Sequence, residues 1–84
     1  MYQTIHEDVE VAGVFKQGQF VPKRFLWAKN QYDIQEITMK IKILEYGEAT
    51  LIYSCMIRQI QAVARLSFNL KSHHWKIEEI WNEG

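Results

Sequence analysis

The chain is short of the residues that staple or break a small fold. It has one cysteine, Cys55, in 84 residues, so no intramolecular disulfide forms and a secreted, disulfide-held mini-domain is excluded. One proline and four glycines leave few interruptions in regular structure. An excess of one charge is also missing. Ten basic residues balance ten acidic ones, which argues against a general polyanion binder, whose affinity rests on paired phosphates and released counterions. No apolar run approaches the length of a membrane span. The first eight residues have neither the basic start nor the apolar stretch of a signal peptide. The expected setting is the cytoplasm, away from any membrane. Gly-rich phosphate loops, nucleophile elbows and zinc spacings are absent from the sequence, so neither a cofactor nor a metal is expected.

Apolar side chains are plentiful. Hydrophobic residues make up 48% of the chain, with three Trp, four Tyr and four Phe, against 24% charged. That composition suits one folded domain over residues 1–84 with a dense core. Residues 1–8 are expected to form a loose N-terminus.

Strand patterns fill the rest. Val9, Val11 and Phe15 belong to a β-branched, alternating run that ends at Gln17 and Gly18, a turn pair. Phe20 to Trp27 is the next run, with Pro22 placed at a strand start or sheet edge because it lacks an N–H. Ala28, Lys29 and Asn30 turn the chain into a long strand from Gln31 to about Leu44. Tyr32 and Ile34 share one face, yet the apolar series resumes out of phase at Ile37, Met39, Ile41 and Ile43. One extra residue near Gln35 and Glu36, a β-bulge, repairs the phase and turns that series into the core. Leu51, Tyr53, Cys55 and Ile57 then share a face, as do Ala62, Ala64, Leu66, Phe68 and Leu70, and residues 74–81 close the chain. Met56, Ile57, Ile60, Val63 and Ala64 also fit helical spacing, so a helix over 54–64 competes with two strands.

An internal likeness favours strands. Residues 25–37 align without gaps on 68–80, with Phe25 on Phe68, Ile34 on Ile77, Glu36 on Glu79 and Ile37 on Ile80 identical, and Tyr32 on Trp75. Both copies show the same phase slip. The expected fold is therefore all-β: six antiparallel strands in a small barrel or strongly bent sheet, built from similar three-stranded halves at about 9–44 and 49–82.

The pattern Pro22, Phe25, Trp27, Tyr32, Ile34 and Ile37, closed by Trp75, Ile77 and Ile80, resembles one in small bacterial all-β domains of unknown function with a Phe-x-Trp…Tyr-x-Val/Ile hairpin core. The resemblance implies an all-β bacterial domain and carries over no catalytic residue. In this chain the turn at residues 28–31 lacks the Gly-Arg usual in those domains.

Few residues invite chemistry. His73 and His74 are neighbours whose side chains diverge on a strand, so they read as a solvated turn, not as a metal site. Cys55 has Tyr53 and Ile57 as its neighbours on the strand face and reads as a core thiol. Glu36 and Glu79 flank the bulges, and bulges also occur beside active sites, but no catalytic residue is expected. Lys16, Lys23, Arg24 and Lys29 occur in a stretch with no Asp or Glu, interleaved with Phe20, Phe25 and Trp27; cations beside flat rings suit single-stranded nucleic acid. Trp81 near the end of the last strand suits an interface anchor. The leading expectation is a non-enzymatic interaction module that binds a protein partner or forms a homodimer through a β-edge. The alternative is a weak single-stranded nucleic-acid binder using the 16–29 hairpin.

Overall fold

The computed structural model describes residues 2–82. Seven antiparallel strands make one sheet: β1 (Tyr2–Asp8), β2 (Glu10–Lys16), β3 (Gln19–Trp27), β4 (Asn30–Glu45), β5 (Glu48–Ile57), β6 (Ala62–Asn69) and β7 (Trp75–Asn82). Their spatial order is β1-β7-β6-β5-β4-β3-β2, a meander from β2 to β7 with β1 added beyond β7.

Three connections are two-residue hairpins with both central residues at positive φ: Gln17 and Gly18 (53° and 78°), Ala28 and Lys29 (52° and 66°), and Tyr46 and Gly47 (51° and 78°). This turn geometry matches the right-handed twist of the strands it joins. Two of the turns place glycine at the second position; the middle one places Lys29 there, without the relief that a missing Cβ gives.

Two features differ from the sequence expectation of six strands. The first is β1. Residues 2–8 pair with β7, with Tyr2 opposite Trp81 and Thr4 opposite Glu79. Only Ile5 of this strand is both apolar and partly buried, so no alternation advertised it. The second is closure. The edge strands β1 and β2 meet at Val9, whose N–H donates to the Trp75 carbonyl at 3.1 Å, but no ladder joins them, and the sheet bends without closing into a barrel.

Between β5 and β6 the residues 58–61 form a turn, so 54–64 is two strand ends and not a helix. That turn is tied back by Asp33. Its carboxylate accepts from Arg24 Nε at 2.8 Å and from Gln59 Nε2 at 3.2 Å, while its N–H donates to Gln59 Oε1 at 2.9 Å. The Arg24 hydrogen bond holds the Asp33 carboxyl below its usual value.

The core is the concave face. Phe25, Tyr53, Cys55, Ile57, Ala64, Leu66 and Ile77 are buried there, each at 3% exposure or less, with Val11, Trp27, Tyr32, Ile34, Ile37, Leu51 and Trp75 packed against them. Phe25 pairs with Tyr32 in the β3–β4 ladder and Phe68 with Trp75 in the β6–β7 ladder, with ring centroids 5.4 and 4.7 Å apart. The extra residue is Gln35 in β4 and Glu78 in β7, which are aligned positions in the two stretches.

A second bulge in β4 overturns part of the expected core. After Gln35, Ile37 pairs with buried Cys55; then Thr38 is skipped, and Met39 pairs with Ser54. Thr38 Oγ1 donates to the Ser54 carbonyl at 3.2 Å, holding the irregularity in place. Beyond it the faces exchange. Lys40 and Lys42 stand opposite Tyr53 and Leu51 on the concave side, and Met39, Ile41 and Ile43 stand on the convex side at 41%, 41% and 37% exposure. The apolar series that promised a core strand faces outward.

Candidate ligand-binding cleft

The strand β4 is shared. Its ladder with β3 runs only from Trp27↔Asn30 to Arg24↔Asp33, whereas its ladder with β5 runs from Ile34↔Ile57 to Glu45↔Glu48. Past Asp33 the β2–β3 hairpin therefore leaves β4 and arches over the concave face, and a cleft of about 620 Å³ opens between them. That volume lies in the range of small-molecule sites.

The hairpin wall is Val11, Phe15, Gln19 and Phe20. Gly13 lets it form: a Cβ there would overlap the Val21 carbonyl oxygen and stand 2.7 Å from Phe20 Cζ. The register shift between Ala12 and Gly13 lies at the same point, so the two strands approach closely where Phe20 is aimed. On the opposite wall Trp75 is the hub. Its ring lies 6.0 Å from Phe20, 5.5 Å from Tyr53 and 4.7 Å from Phe68. Phe15 extends the ring series at the outer lip, 5.5 Å edge-on to Phe20 and 79% exposed. At the other lip His73 stacks on Phe68 at 5.9 Å.

One cation reaches this apolar space. Lys40 Nζ sits 5.5 Å from the centroid of the Tyr53 ring, a cation–π distance, and Lys40 lines the cleft. Among the described residues no Asp or Glu lines it, and Lys40 makes no ion pair with any of them. Burial pushes the Tyr53 phenol above its ordinary value, so the hydroxyl keeps its proton. The cleft is thus a largely aromatic slot with one exposed lysine in its lining.

The residues singled out from sequence lie elsewhere. Lys16 and Lys29 sit at opposite ends of the β2–β3 hairpin, one at the Gln17 turn and the other in the Ala28 turn; β3 separates them by roughly 25 Å. Arg24 is occupied by Asp33, and Lys23 lies exposed beside it. Of the interleaved rings, Phe25 is 1% exposed, Trp27 donates its indole N–H to Glu7 Oε1 at 3.1 Å, and Phe20 belongs to the cleft. The four cations do not form one patch. Trp81 is 43% exposed on the convex face, where it shares a shallow depression with Tyr2 and Val63.

The bulge carboxylates are also apart. Glu36 lies on β4 and Glu79 on β7, with β5 and β6 between them, about 14 Å by strand spacing alone. Glu79 pairs with Arg65 at 2.6 Å. Glu78 accepts from Ser67 Oγ at 3.1 Å and meets His6 Nδ1 at 2.7 Å, so His6 has a partner that its sequence position did not suggest. Cys55 is fully buried, and burial pushes its thiol up to about 12. Among the described residues no three His, Cys, Asp or Glu side chains converge as metal ligands do, and no helix is long and apolar enough to cross a membrane.

The cleft itself was missed in the sequence because its rings resemble core residues. The one available signal was Phe15, a large ring directly beside a turn. No protein family, no curated protein and no solved structure matches this chain.

Proposed function

We propose that this chain is a non-enzymatic binding module that holds a small, flat apolar ligand in the cleft between the β2–β3 hairpin and the concave sheet. The observation that carries this reading is the aromatic slot of about 620 Å³, walled by Phe20, Tyr53, Phe68 and Trp75. Rings at these spacings offer their faces and edges to a further ring, an arrangement that adds to simple area burial. Among the described residues the lining contains no carboxylate and no thiol, and the one thiol of the chain is buried and protonated at neutral pH, which supports binding over reaction.

A neutral probe tests it. Titration of the ¹⁵N-labelled protein with 2-naphthylmethanol should give saturable one-to-one binding, with the largest shifts at Phe20, Phe68 and Trp75. Leu70→Trp, which places a larger side chain at the cleft rim, should abolish it. Absence of binding by the folded wild-type protein, or binding untouched by Leu70→Trp with shifts elsewhere, sinks the reading.

A second reading has its own observation: from Ile34 to Glu45 the only ladder partner of β4 is β5. Such an edge accepts another strand. A second copy paired antiparallel about Ile41 would set Met39 against Ile43, extending the convex apolar stripe, but would set Lys40 against Lys42. That like-charge pair opposes association and ranks this reading second. Sedimentation velocity decides it: a dimer that strengthens with salt and is lost in Ile41→Lys supports edge pairing, and a monomer at all salt concentrations ends it.

A further inference from the structure

We infer that the ligand of the cleft is an anion: a free aromatic monocarboxylate whose rings lie among Phe20, Phe68 and Trp75 and whose carboxylate pairs with Lys40. This inference rests on the cleft being the binding site. It adds the charge of the ligand and the residue that reads it.

Three observations converge. First, an ammonium on the concave side of a strand, directly opposite a tyrosine that is 3% exposed, is an unusual placement. Lys40 is exposed, yet it lines the apolar cleft. The Thr38 bulge puts it there, for without that extra residue Lys40 would face the convex side. Second, the charge is uncompensated. Among the described residues no acidic side chain lines the cleft, and the interaction Lys40 makes there is with the face of the Tyr53 ring. A ring face attracts the cation more weakly than a carboxylate does in a partly desolvated site. Third, a further donor stands on the same wall. The Tyr53 hydroxyl makes no hydrogen bond among the described residues, although Tyr53 is nearly buried and lines the slot. Ammonium and phenol together offer a carboxylate a donor for each oxygen, and the surrounding rings lower the competition from water.

The shape selects the rest of the ligand. Tyr53 and Phe68 are inclined to Trp75 by 37° and 36°, and Phe20 faces Trp75 at 6.0 Å, tilted by 49°. A flat, fused two-ring system can lie against these inclined faces and edges, beside the Phe20–Trp75 contact and not between the two rings. A free small acid is favoured over a peptide C-terminus because Phe15 and Phe20 overhang the slot, leaving less room for a chain to continue.

The test compares 2-naphthoate with 2-naphthylmethanol by calorimetry at pH 7.5, in the wild type, Lys40→Met, Tyr53→Phe and Lys42→Met. Wild type should bind the acid roughly five- to tenfold more tightly than the alcohol, the advantage expected of a charge-assisted contact near a surface. Lys40→Met should erase that preference while leaving the alcohol unaffected. Tyr53→Phe should reduce it about two- to threefold. Lys42→Met, which alters a neighbouring cation outside the lining, should retain it. Added salt should weaken the acid and spare the alcohol. Equal binding of the two probes by wild type overturns the anion inference and leaves the cleft reading standing. A preference that survives Lys40→Met, or disappears equally in Lys42→Met, removes Lys40 from its role. Failure of both probes to bind overturns the cleft reading as well.

Discussion

Replacing Ile41 by alanine should destabilise the protein only mildly, although Ile41 belongs to a regular apolar series. The comparison residue is Ile77, the same side chain at 0% exposure, whereas Ile41 is 41% exposed on the convex face. Full burial of an isoleucine contributes about 1.5–3 kcal/mol. With part of that surface still in water, and with solvent free to fill the space left behind, Ile41→Ala should cost about 1 kcal/mol. Ile77→Ala removes the same atoms from a sealed site and adds a cavity, so about 2–5 kcal/mol is expected. The whole fold of 84 residues is worth on the order of 4–13 kcal/mol, so the two variants should separate clearly. Urea unfolding followed by Trp emission, at low protein concentration and with a common m-value, gives both differences. Ile41→Lys sharpens the contrast, since a convex position should accept the charge with a loss of about 1 kcal/mol or less. A cost near 3 kcal/mol for Ile41→Ala, or failure of Ile41→Lys to fold, would mean that Ile41 points inward and that the Thr38 bulge does not exist.

The hairpin at Ala28 and Lys29 has two non-glycine residues at positive φ, so Lys29→Gly should stabilise the protein by about 0.5–1 kcal/mol, the relief of left-handed strain less the added chain entropy; a lower urea midpoint would contradict the turn. Cys55 should resist Ellman's reagent in the native protein and react once urea unfolds it, and fast native labelling would show the thiol is not sealed. Its folded thiol is raised from 9.0 to about 12. Stability from the protonated thiol is therefore complete below about pH 9, falls as pH climbs toward 12, and should fall less steeply in Cys55→Ala.

Much of the framework could be read along the chain. β5 and β6 alternate cleanly, with Leu51, Tyr53, Cys55 and Ile57 and then Ala62, Ala64, Leu66 and Phe68 on one face, because both strands are central and their concave positions are largely covered. The slip at Gln35 and Glu78 was visible as a break in period. β1 was not visible, since it is an edge strand whose stability comes from pairing with β7 and from a few side-chain contacts, not from a buried stripe. Reach across the sheet was hidden as well. The ties from His6 to Glu78 and from Trp27 to Glu7 span 72 and 20 residues and leave no local trace.

The misread part of the sequence and the candidate site have one origin. A single bulge in β4 satisfies the periodicity best, because it carries Ile37, Met39, Ile41 and Ile43 inward together. The chain instead uses a second bulge at Thr38, exposes three of those residues and turns two lysines toward the concave face. Burial alone opposes that choice, since it trades apolar core for charge. Inward-pointing lysine also guards an edge against strand addition, and β4 past Asp33 is such an edge. Edge protection accounts for both lysines equally. It does not account for a Lys40 ammonium held over Tyr53 within a cleft lined without acids, with Lys42 outside that lining. Local rules are broken most readily where a site needs them broken, and the two lysines part company at the cleft, which is why Lys40→Met and Lys42→Met should differ in ligand binding even where they agree in self-association.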